Sequence, residues 1–166
     1  MASSHVGGSG VGRIVAEMSV ESALADRYSL WWQLLCEDFG YQEQAPGRSP
    51  RSRNEFVLRA VRPDFASVQP VTVEIRETWR NGTDFELGID LHGCFLLAAS
   101  WHAQIVAGQG DEGSERLDVD RTKSPDLRVH RHPLGEPNRI REPAAPLKHP
   151  DAWVQYVEQL VAKRYG

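Results

Sequence analysis

Cysteine is scarce in this chain: Cys36 and Cys94 are the only two among 166 residues. Two thiols so far apart in sequence exclude a disulfide framework and the cysteine-rich zinc sites. Each reads as a small buried hydrophobe in a reducing setting. Lysine is absent before Lys123. The carboxylates Asp84, Glu86 and Asp90, with Glu74 near them, therefore lack the cation that a metal-dependent sheet nuclease would place beside its acidic pair. No apolar run approaches the roughly 20 residues of a membrane-spanning helix; the longest, Cys94 to Ser100, is strand-sized. The amino terminus lacks the basic-then-apolar layout of a secretion signal. Also missing are the Gly-x-Ser-x-Gly elbow, the Walker A loop and the dinucleotide fingerprint, since Gly7, Gly8, Gly10 and Gly12 precede no strand-to-helix unit. These absences point to a soluble, cytoplasmic protein with no membrane partner and no cofactor.

What is present suits one globular domain. Hydrophobic residues make up 40% and charged residues 25%, with a net charge of −4 and an isoelectric point near 5.9. That balance argues against non-specific binding to nucleic acid. Charge is uneven, however. Residues 121–149 hold seven Lys/Arg against three Asp/Glu, a local +4 that leaves −8 elsewhere. Any nucleic-acid contact would have to come through that basic segment.

Residues 1–17 are rich in Gly and Ser and read as a flexible leader, compatible with an added segment ahead of a native start at Met18. Residues 18–166 read as a single α+β domain. Ser19 offers an N-cap to a helix over about 19–39, in which Leu24, Tyr28, Trp31, Leu35 and Phe39 form one stripe and Gly40 the stop. Two adjacent tryptophans cannot both face inward, so Trp32 should lie at the stripe's edge, where it could anchor a partner.

The period then switches to two. Strands are expected over Glu55–Arg62, Val71–Trp79, Phe85–Leu91 and Phe95–Val106, with tight turns at Asn81-Gly82 and His92-Gly93. Further strands are expected over Arg116–Asp120 and Leu127–His132. Five prolines between 133 and 150 predict an extended surface arm. A last helix covers about Asp151–Arg164, with Lys163 and Arg164 suiting its C-terminal dipole. The fold class is a two-layer α+β domain: an antiparallel meander of about 4–6 strands flanked by an N-terminal and a C-terminal amphipathic helix.

The densest chemistry lies between Arg128 and Glu142, which holds two of the six histidines and four arginines. On a strand, Arg128, His130 and His132 share one face. Two imidazoles there can ligate a metal, with His102 or a carboxylate as third ligand, or pair with acids such as Asp118, Asp120 or Glu142 on a plain polar surface. Ser100, His102 and Gln104 share the outer face of their strand if Trp101 faces the core.

Three functions follow. The favoured one is a non-enzymatic protein-binding or regulatory module of the inhibitor or immunity type, with a protein partner. The second is a small ribonuclease or phosphodiesterase, toxin-like, with His102, His130 and His132 moving protons and Arg128, Arg139 and Arg141 binding phosphate. The third is a divalent-metal-binding His-x-His protein, although the sequence assigns no metal ligand set. The order of elements is similar to that of small toxin or antitoxin domains, a likeness of architecture that transfers no residues.

Overall fold

The computed structural model describes residues 9–44, 54–62, 70–145 and 149–165. The first eight positions of the expected leader and the tip of the proline arm, 146–148, lie outside the described residues. Helix α1, Ser9–Trp32, begins well ahead of the expected cap at Ser19 and runs on into a π-helical turn, Gln33–Asp38. Gly40 ends it as expected, with φ 73°, and the Tyr41 amide donates back to the Leu35 carbonyl at 2.9 Å. Leu24, Trp31 and Leu35 are buried, while Tyr28, Trp32 and Phe39 pack partly buried against the core.

Among the described residues eight strands follow: β1 Gln42–Glu43, β2 Glu55–Arg62, β3 Val71–Asn81, β4 Asp90–Leu91, β5 Cys94–Gln104, β6 Ser114–Val119, β7 Val129–His132 and β8 Glu142–Pro143. Helix α2, Pro150–Tyr165, closes the chain. The sheet is antiparallel in the order β1-β2-β3-β5-β6-β7-β8, with β4 pairing only β5. It is the expected meander, but with more strands than four to six. The extra ones are two-residue pairings at β1, β4 and β8, too short to leave a period in the sequence.

The strand expected over Phe85–Leu91 forms only at its last two residues, β4. Asp84 takes its amides instead: Oδ1 accepts from Glu86 N at 3.1 Å and Leu87 N at 3.0 Å, and Oδ2 accepts from Ile89 N at 3.2 Å. The Arg121 guanidinium clamps the same carboxylate through two bonds of 3.1 and 3.0 Å. Burial works to raise the Asp84 carboxyl, but these donors hold it well below the usual carboxylate range. The alternating apolar residues ride on a loop, and Phe85 stands 93% exposed. Asn81-Gly82 is accordingly no hairpin turn, because Asn81 pairs with Cys94 across β5. His92-Gly93 is the tight turn expected, with φ 54° and 72° at its two residues.

Both helices cover one face. Trp31 of α1, Trp101 of β5 and Trp153 of α2 meet edge to face, with ring centroids 4.8, 6.0 and 6.1 Å apart. Val73, Ile75, Ala99, Ala103, Leu117, Val119 and Val129 complete this side of the sheet and are buried. Glu77 follows the same parity and is also fully buried. Its Oε1 accepts from Arg27 Nη2 at 2.7 Å, Trp31 Nε1 at 2.8 Å and Trp101 Nε1 at 3.2 Å. Its Oε2 accepts from Arg27 Nε at 2.9 Å and Trp79 Nε1 at 3.0 Å. A charge at the centre of the core is tolerable only when satisfied to this degree. Among the described residues, no helix is long and apolar enough to cross a membrane.

Candidate metal centre

The face without helices carries the polar residues in two cross-strand rows. Directly paired residues share a face. Strand register therefore lines up Glu74, His102, Arg116 and His132 across β3, β5, β6 and β7. The next row is Arg76, Ser100, Asp118 and His130. Ser100, His102 and Gln104 thus lie opposite Trp101, which is buried.

His130 and His132 stand beside Asp118 and Arg116 of the neighbouring strand. Asp118 Oδ2 lies 3.2 Å from His132 Nε2 and 3.6 Å from His130 Nε2. The two imidazole rings meet edge to face at 5.0 Å, and both residues are buried. The backbone fixes their tautomers. His130 Nδ1 lies 2.6 Å from the Leu127 carbonyl and His132 Nδ1 lies 2.8 Å from the Asn138 carbonyl. A carbonyl only accepts, so each Nδ1 carries a proton and Nε2 is the nitrogen left facing Asp118.

Three possible ligand atoms therefore converge, all within 4.8 Å of one another. Asp118, His130 and His132 are the only such group of His, Cys, Asp or Glu among the described residues. Arg116 partly relieves the crowding: its Nε donates to Asp118 Oδ2 at 3.0 Å and its Nη2 to His132 Nε2 at 2.9 Å. Asp118 Oδ1 stays buried with no hydrogen-bond partner among the described residues. Burial, and then the Arg116 charge, hold the His132 imidazole below the ordinary histidine value. His102 is lowered by the same two causes in the same order.

Pinned Nδ1–H groups are the usual outer support of a metal-binding histidine. Ligand atoms 2.0–2.2 Å from a tetrahedral ion stand roughly 3.4 Å apart, close to the separations of Asp118 from the two imidazoles. The donor types and these two separations suit a zinc-class divalent ion.

Other sequence candidates fall elsewhere. His102 is on the same face, but β6 separates its strand from β7, and Arg116 stands between it and His132. Arg128 is not on the strand. It ends a short 3₁₀ turn, Pro125–Leu127, with helical φ −63° and ψ −33°, and bonds Glu86 at 3.0 Å. Arg139 and Arg141 are exposed on the segment between β7 and β8, and Trp32 is half-buried against the core. Asp84 and Asp90 are bound into the 84–90 loop, where Asp84 N donates to Asp90 Oδ1 at 2.8 Å. Glu74 pairs with Arg59 at 2.7 Å.

Arg116 was the residue missed. Its signal was present in the sequence: Arg116-x-Asp118 repeats the spacing of His130-x-His132 one strand earlier, and antiparallel pairing sets the two against each other. Comparison with protein-family models, curated proteins and solved structures finds no match.

Proposed function

We propose that this domain binds a divalent transition-metal ion through Asp118 Oδ2, His130 Nε2 and His132 Nε2. The observation that carries the reading is the convergence of three possible ligand atoms, two of them on buried rings whose other nitrogen is already tied to a backbone carbonyl. A structural ion-pair network would satisfy its carboxylate. Here Asp118 Oδ1 has no donor among the described residues, and the one local cation is Arg116, partly exposed at the cluster's edge. A cytoplasmic setting belongs to the same proposal, supported by two free thiols, one buried and one half-buried.

Calorimetric titration of the metal-free protein with Zn²⁺ at pH 7 tests the reading. One ion per chain is expected in the wild type, with loss of that binding in Asp118→Asn and in His132→Gln. Equal uptake by both variants would place the ion elsewhere. The protein-docking function has a different support: Phe85 stands in water on a loop held rigid by Asp84 and Arg121.

A further inference from the structure

We infer that the metal centre takes a phosphate group, held between the ion's open coordination position and the Arg116 guanidinium. This rests on the metal reading above and names the ligand class of that site. Three protein ligands leave a zinc-class ion at least one open position. The ion and Arg116 compete for the single lone pair of His132 Nε2, whereas Asp118 Oδ2 has lone pairs for both. Metal entry therefore releases Arg116 Nη2 from His132 while leaving the guanidinium anchored on β6 beside the ion.

Charge decides what fills the gap. A divalent ion with one carboxylate and two neutral imidazoles carries +1, and the freed Arg116 adds another. Glu74 and Arg76 on this face are paired, while Asp111 and Asp120 lie near enough to His102 and His130 to act on them electrostatically. Glu74 pairs with Arg59 at 2.7 Å, and Arg76 lies 3.8 Å from Glu55 and 3.6 Å from Glu74. The +2 of the ion, its three ligands and Arg116, only partly exposed, suits a doubly charged ligand. A phosphate monoester or inorganic phosphate supplies that charge, and its planar face of two oxygens suits the guanidinium fork.

Hydrogen-bonding groups are in place for the remaining oxygens. Ser100 is the direct strand partner of Asp118, and His102 is the direct strand partner of Arg116. Both are half-buried on the open face. A carboxylate ligand would bring one charge and two oxygens, leaving half the positive charge and these β5 groups unused.

The test uses the full chain loaded with Co²⁺ and inorganic phosphate as probe, followed by ³¹P NMR line broadening and by titration calorimetry. Strong broadening is expected, since the phosphorus lies one bond from a cobalt-bound oxygen. Arg116→Gln is expected to keep the cobalt absorption spectrum, with metal affinity equal or higher because the competing cation is gone. Its phosphate affinity should fall about ten- to a hundredfold, the value of lost charge-assisted bonds. Arg116→Lys should fall between the two.

Undiminished phosphate binding by Arg116→Gln would overturn the assignment of Arg116. Cobalt binding without phosphate binding would overturn the inference and leave the metal reading standing, whereas failure to bind cobalt would sink both. Acetate competing as well as phosphate at equal concentration would replace the phosphate class with carboxylates.

Discussion

Two carboxylates in this domain sit among nitrogen atoms on opposite faces of the same sheet, and they are treated in opposite ways. Glu77, on the helix side, accepts five N–H bonds from Arg27 and three tryptophans. Asp118, on the open side, sets one oxygen among Arg116 and the Nε2 atoms of His130 and His132, and its other oxygen has no donor among the described residues. A saturated buried charge is a structural device: it fixes the orientation of everything that donates to it. An undersaturated one surrounded by acceptors is a place where a cation lowers the free energy. On the metal-binding proposal, the contrast separates the part of the fold that holds the molecule together from the part that would take the ion.

The sharpest way to break the comparison is to remove Glu77. Glu77→Ala leaves Arg27 and three indole N–H groups buried without their acceptor and should lower unfolding free energy by about 3–5 kcal/mol, read by urea denaturation. A loss below about 1 kcal/mol would show the network to be incidental. Metal linkage is the next effect in size. Zn²⁺ at a hundred times its dissociation constant should stabilise the wild type by about 2.7 kcal/mol. Asp118→Asn should lose that gain while staying folded without metal.

Smaller is the response to pH. His102 and His132 are both held below the ordinary histidine value. The fold therefore favours their neutral forms, and the unfolded chain binds protons more readily. Their contribution is complete above the unfolded value of about 6.5 and is lost as pH falls through the lower folded values. Stability in metal-free buffer should decline on acidification below about pH 6.5, and His102→Gln should flatten part of that slope. The smallest change is expected at Phe85. Phe85→Ser removes a side chain that stands 93% exposed and should move stability by no more than about 0.5 kcal/mol.

How much of this could be read from sequence depended on where the partners came from. The α1 stripe, the Gly40 stop, the bounds of β2 and the His92-Gly93 turn are local, and each was legible. The Phe85–Leu91 alternation misled because one side chain, Asp84, captured the amides that a strand would have given to a neighbour. Glu77 lay on the inward parity of β3, yet its donors Arg27 and Trp31 are 50 and 46 positions away, and no spacing announces them. The histidine pair was legible as a candidate. Asp118 stood only as one of three acids that could pair with them, and Arg116 was passed over, because both partners depend on the β6–β7 register that sets Asp118 opposite His130 and Arg116 opposite His132.

X-ray absorption of the zinc-loaded protein tests the central claim most directly, because it counts the ligands around the ion. The account predicts a first shell of nitrogen and oxygen only, at about 2.0–2.2 Å, with outer-shell scattering from two imidazoles. Sulfur scattering at about 2.3 Å, which only Cys36, Cys94 or a methionine could supply, or the signature of a single imidazole, would contradict it.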